Sequence, residues 1–214
     1  AHKITTVYLN KKIESLVYGN KDISESYAKV LKTRLKAIFD YGITHGNLKV
    51  NPAIDVVIPK KSKESVMVTE FYLEDDELTR LMDYLKVNNR RYYLLCQWLY
   101  LNGLRAGEGC AMQKTDVIIN EDRQYCNVTG TLEYHGKKIA DQVKSTETKT
   151  ASGMREIDLS KKAIAIYEEA LSLSPDTPFL FVTSHNTPIQ IGAVNQFFKA
   201  HKERMGFDKD RKIS

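Results

Sequence analysis

Along ISESYAKVLKTRLKAIFDYGITHGNL, the apolar residues Tyr27, Val30, Leu31, Leu35, Ile38 and Phe39 recur at spacings of three and four, which predicts one amphipathic helix. Ser24 suits its N-cap and Gly46 its stop. Upstream, ITTVYLNKKIESLVYG predicts a shorter helix with no evident cap. LEDDELTRLMDYLK opens a further helix, since its leading carboxylates favour a helix N-terminus. In RRYYLLCQWLYLNGLR the apolar positions are almost continuous, so this helix is expected to be buried on most sides, with Tyr92, Tyr93 and Trp98 in the core. From Asp116 to Leu159 the period shortens: β-branched residues alternate between turn signals at Asn120-Glu121-Asp122 and His135-Gly136. That texture predicts a small antiparallel sheet of about three strands. Helices return in SKKAIAIYEEALSL and TPIQIGAVNQFFKAHKERMG. The expected fold class is mainly α with a small antiparallel β-sheet (α+β).

Between the first helices and this mixed region, Pro52, Pro59, three lysines and two serines form an extended connector. The expected division is a helical domain over residues 1–58, a linker over 59–70 and a mixed domain over 71–214. Charge follows that division. Residues 1–63 carry 12 Lys and Arg against 5 Asp and Glu, a balance of +7, whereas the whole 214-residue chain carries only +5. A basic excess confined to the first third suits a domain that lies along a polyanion, and equally suits a well-solvated helical surface. No apolar stretch approaches the length of a membrane span. Cys96, Cys110 and Cys126 form no CxxC pair, so they read as buried free thiols of a cytoplasmic protein, neither disulfides nor metal ligands.

Two stretches carry candidate chemistry. One is Gly103-Leu104-Arg105-Ala106-Gly107-Glu108. The other runs Thr148-Lys149-Thr150-Ala151-Ser152-Gly153-Met154-Arg155-Glu156-Ile157-Asp158-Leu159, about forty residues further on. Their residues, order and spacing resemble the GLRxGE box and the TKTxxSxRxIxL hairpin of the tyrosine recombinase (phage integrase) family. A basic helical domain, a Pro/Lys linker and a mixed catalytic domain complete the likeness, which is greatest to integrases of Gram-positive phages and conjugative transposons.

The resemblance implies metal-free and cofactor-free phosphoryl transfer on double-stranded DNA. A tyrosine hydroxyl attacks the scissile phosphate, forms a 3′-phosphotyrosine and releases a 5′-hydroxyl. Arg105 matches the family's first catalytic arginine, for which a bidentate guanidinium suits phosphate better than a point charge does. Glu108 matches the acidic position that supports it, and Lys149 the hairpin lysine that protonates the leaving oxygen. Phosphate contacts are expected from Lys29, Lys32, Arg34, Lys36, Lys60, Lys61 and Arg155, with the two domains closing on the duplex as a C-shaped clamp. Members of the family assemble as tetramers on DNA, with accessory bending or excision factors as further partners. Plainer roles stand beside these. Arg105 could do no more than pair with Glu108 at a helix start. Lys149 could be a solvated loop lysine with Lys144 as its competitor, Arg155 could brace the hairpin, and His185 reads as a loop residue.

The family's HxxR box and nucleophilic tyrosine find no match. None of the 12 tyrosines follows Tyr167, and FDKDRKIS stands about where the HxxR helix begins. The expectation is therefore a fragment of a recombinase, incomplete at its N-terminus as well, that binds DNA without cleaving it. The competing readings are a non-catalytic DNA-binding regulator on an integrase scaffold, and an enzyme that clamps a small phosphate with Arg105.

Overall fold

A computed structural model describes residues 4–61, 72–134, 136–145, 154–209, 211 and 213. Lys149 and the linker residues 62–70 lie outside the described residues. The chain divides into two compact units, Ala1–Val66 and Met67–Ser214.

In the first unit, α1 spans Thr6–Tyr18 and α2 spans Glu25–Thr44. Ser24 caps α2 as expected, its hydroxyl accepting from the Tyr27 N–H, and Gly46 follows the helix at φ +72°. The entry of α1 differs from expectation: Thr5 caps it by accepting from the Tyr8 N–H at 3.2 Å. Leu9, Ile13 and Val17 of α1 meet Ala28 and Phe39 of α2 in the core. Three residues placed on the apolar stripe of α2 are outside it: Tyr27, Val30 and Ile38 are exposed. Two helices cannot bury so wide a stripe, and the rest of this core comes from residues 51–58, which the sequence groups with the connector. Ala53 and Val56 are buried there, and Asn51 donates to the Lys36 carbonyl and to Asp40 Oδ1. Thr6 donates to the Pro52 carbonyl, the Val57 N–H donates to Asn10 Oδ1, and the Tyr18 hydroxyl donates to the Lys60 carbonyl.

In the second unit, α3 (Asp75–Asn88) begins with Glu77 Oε2 accepting from the Glu74 N–H. The next helix, α4 (Arg90–Asn102), is buried along Leu94, Leu95 and Trp98, with Tyr92 and Tyr93 packed at the margin of the same core. Burial pushes the Tyr92 pKa up. Helix α6 (Lys161–Ser172) is tied to α4 by a two-pronged Arg90–Glu169 pair and by Arg91, which donates to the Leu173 carbonyl. The last helix, α7, spans Ile191–His201.

Five strands lie between α4 and α6, in two ladders among the described residues. Strands β1 (Val117–Ile119), β2 (Gln124–Val128) and β5 (Arg155–Asp158) form an antiparallel sheet in the order β1-β2-β5. A second antiparallel pair joins β3 (Thr131–Glu133) to β4 (Val143–Ser145). The expected three-stranded sheet is present, and the extra ladder exists because the chain turns out of it after β2. Gly130 permits that turn: a Cβ there would come within 1.8 Å of the Ser145 carbonyl oxygen. The architecture is mainly helical with a small antiparallel sheet, an α+β fold.

Candidate functional site

The corner at Asn102–Arg105 is built from backbone requirements. Gly103 ends α4 in the left-handed region at φ +58°, which glycine adopts without the Cβ penalty, and the Leu104 N–H returns to the Leu99 carbonyl. Arg105 is extended and starts the short helix α5, Ala106–Cys110. A Cβ at Gly109 would lie 2.3 Å from Leu99 Cδ2, so α5 packs hard against α4. The corner therefore holds Arg105 on a rigid support.

Glu108 is the centre of the arrangement. It is 6% exposed, and its carboxylate accepts four hydrogen bonds. Oε2 accepts from the Arg105 N–H at 2.9 Å and from Arg155 Nη2 at 2.8 Å. Oε1 accepts from Arg105 Nη1 at 2.9 Å and from Arg155 Nη1 at 3.1 Å. Burial on its own would raise the Glu108 pKa. The bonds from Arg155, the Arg105 backbone and the Arg105 guanidinium outweigh it and hold the value at about 2. The carboxylate is thus ionised throughout the physiological range.

The two arginines are placed differently. Arg155 has both terminal nitrogens on Glu108, and its side chain is only 32% exposed. Arg105 gives Glu108 one guanidinium nitrogen and leaves its side chain 78% exposed. Among the described residues its other guanidinium N–H groups have no partner. The pairing of Arg105 with Glu108 that the sequence allows does form, yet it engages only one edge of the fork. Such an arrangement can dock an oxyanion on the free edge.

Lys144, the competitor of Lys149, is engaged elsewhere. Its Nζ lies 2.6 and 2.7 Å from the two oxygens of Asp116, and both side chains are about nine-tenths buried. Asp116 also accepts from the Gln113 N–H at 2.6 Å, closing the 3-10 turn Lys114–Asp116. The sequence places Asp116 merely at the head of the strand region. A Gln113-x-x-Asp116 spacing of the capping-box kind was the available signal for its role.

The expected phosphate contacts are scattered in kind. Lys29, Lys32 and Lys36 share one face of α2 by helical spacing, whereas Arg34 projects from another face among the exposed Tyr27, Val30 and Ile38. Lys29 pairs with Glu25 at 2.7 Å, and Lys32 is half-buried. Lys60 is exposed, but Lys61 pairs with Asp22. His185 lies exposed in a turn. The three cysteines are free, and burial pushes Cys96 and Cys110 to about 12 and Cys126 to about 11, so none is a ready thiolate.

Helices around a small sheet, with a partly satisfied arginine at a helix corner and a buried carboxylate behind it, define an α+β protein with an exposed guanidinium on a fixed support. Residues 72–213 match the model of the phage integrase family, and the chain belongs to that family, the tyrosine recombinases. The probable integrase of prophage ps2 from Lactococcus lactis subsp. lactis (strain IL1403) is 30% identical over 229 residues, with 99% of this chain and 58% of the relative covered. The chain thus spans under two thirds of the length of that curated relative. Among solved structures, a lambda integrase tetramer bound to a Holliday junction superposes with a TM-score of 0.68 at 17% identity, over 97% of this chain and 52% of that one. A Tn1549 transposon integrase in complex with a circular intermediate DNA gives 0.71 at 16% identity, over 98% of this chain and 67% of that one.

Proposed function

We propose that the chain is the DNA-gripping part of a site-specific recombinase, in which Arg105 receives the scissile phosphate. The observation that carries this reading is the Arg105 guanidinium: held through one nitrogen on a buried carboxylate and with no other partner among the described residues, it offers a fixed, positive, forked donor to an oxygen-rich group. Glu108 fixes its position. Lys149 serves as the acid that protonates the 5′-oxygen when a tyrosine hydroxyl has taken its place on phosphorus. That tyrosine is not among these residues, since none follows Tyr167, so the 214 residues bind double-stranded DNA and do not cleave it by themselves.

The first unit, with its linker over 59–70, acts as the helical DNA-binding domain and the second as the catalytic domain. Lys29, Lys32 and Lys36 supply backbone contacts from one face of α2, and the exposed Lys60 a further one, whereas Arg34 on the other face of the helix stands apart from this set. The match to DNA-bound integrases in fold, and the +7 balance of residues 1–63, support a duplex as the partner, with assembly into tetramers there. Incubation with a nicked duplex tests both halves of the proposal. A native gel should show retention at about 50 mM salt that is lost by about 200 mM. A denaturing gel of the same samples should show no covalent adduct. A covalent adduct would refute the non-cleaving half, and salt-indifferent or absent retention would refute the duplex-binding half.

A further inference from the structure

We infer that Arg155 is a positioning residue for Arg105, acting through Glu108, and that it does not itself touch the nucleic acid. The inference rests on the reading of Arg105 as a phosphate ligand.

A carboxylate has room for about four hydrogen bonds. Glu108 accepts four from these two arginines, and each of its oxygens carries one bond from each arginine. Arg155 approaches end-on, with Nη1 on Oε1 and Nη2 on Oε2, which locks the plane of the carboxylate. That plane sets the direction of the two bonds to Arg105. Both terminal nitrogens of Arg155 are engaged by Glu108 and its side chain is 32% exposed, against one engaged nitrogen and 78% for Arg105, so Arg105 is the member of the pair presented to a phosphate.

The charge count points the same way. Two guanidinium groups face one carboxylate, so the cluster holds one surplus positive charge, and the exposed member is Arg105. Without Arg155, Arg105 would be the one cation left on the buried Glu108 among the described residues. The Arg105 fork would then turn fully onto the carboxylate, and its charge would be cancelled. Arg155 occupies Glu108 and so leaves Arg105 available.

The test measures binding of the 214-residue chain to a fluorescent duplex across 50–300 mM potassium chloride, taking the slope of log affinity against log salt. Loss of one phosphate contact lowers that slope by about 0.9. Arg105→Met should lower it by this amount, Arg155→Met by the same amount, and the double variant by no more than either. Glu108→Gln in the Arg155→Met background should restore the slope, because a neutral amide no longer sequesters Arg105. That variant also leaves no uncompensated buried charge, so it remains informative if Arg155→Met fails to fold. Compared with Glu108→Gln alone it should show no change in slope, whereas a direct phosphate contact by Arg155 would cost about 0.9 there. Additive losses in the double variant, about 1.8 in slope, would overturn the inference while leaving the phosphate reading of Arg105 intact. An unchanged slope in Arg105→Met would overturn that reading as well.

Discussion

Lys144 and Asp116 form an ion pair inside the second unit, with Nζ 2.6 Å from Oδ1 and 2.7 Å from Oδ2 and neither side chain more than 10% exposed. It joins β4 to the turn that precedes β1, and so ties the smaller ladder to the larger sheet. Removing one partner of such a pair leaves a buried charge with no counterion, at a cost of about 3–5 kcal/mol. Lys144→Met should destabilise the second unit by that amount in urea denaturation followed by the fluorescence of Trp98, the sole tryptophan. Adding Asp116→Asn should recover part of the loss, because no unpaired charge remains. A change below about 0.5 kcal/mol for Lys144→Met would place the pair among solvent-screened contacts instead.

Acid sensitivity follows from Glu108. Its folded pKa, about 2, lies below the ordinary value of 4.5, so the folded state binds the proton less readily than the unfolded chain. Its contribution is complete above pH 4.5 and is lost as the pH falls toward 2. The size of the shift corresponds to about 3 kcal/mol. Wild type should therefore lose stability between pH 4.5 and 2 more steeply than Glu108→Gln. Glu77, lowered chiefly by its hydrogen bond from Arg211, contributes to the same limb in both proteins and cancels in the comparison. Parallel pH profiles would contradict the assignment.

Glu77 also joins two distant parts of the chain. It accepts from the Glu74 N–H at the start of α3 and holds Arg211, whose Nη2 donates to the Tyr72 carbonyl as well. Glu77→Ala should remove both connections. Hydrogen exchange at Phe207 and Arg211 should then accelerate by roughly tenfold, the equivalent of ~1.4 kcal/mol of local stability. Unchanged exchange there would show that the segment is held by other contacts, such as Arg80 on the Gly206 carbonyl.

Charge reversal separates the lysine face of α2 from the rest of the surface. Lys32→Glu with Lys36→Glu should weaken duplex binding more than Lys161→Glu with Lys162→Glu, both of which are exposed at the start of α6. Arg90 is unsuitable for such a control because it is committed to Glu169. Equal losses from the two pairs of substitutions would remove α2 from the interface.

What could be read in the sequence was local. The cap at Ser24, the stop at Gly46 and the carboxylates opening α3 are determined by residues close to each helix end. Arg105 and Glu108 stand three apart, so their contact was visible too. Partnerships across the fold were not visible. Arg155 reaches Glu108 from 47 residues away, Arg211 reaches Glu77 from 134, and nothing in local spacing announces either. The apolar period of α2 misled for a related reason. It marks which residues could be buried, whereas residues 51–58 decide which ones are: Ala53 and Val56 fill the space beside Ala28 and Phe39, and Tyr27, Val30 and Ile38 are left outside. The five strands among the described residues were read as about three because β1, β3 and β4 have three residues each, too few to show an alternating pattern.

The central claim is that Arg105 holds its free edge toward a backbone phosphate. Its most direct measurement is the salt dependence of duplex binding by the wild-type chain and by Arg105→Met on the same DNA. The account predicts a steep linear fall of log affinity with log salt for the wild type and a slope shallower by about 0.9 for the variant. Identical slopes for the two proteins would contradict it.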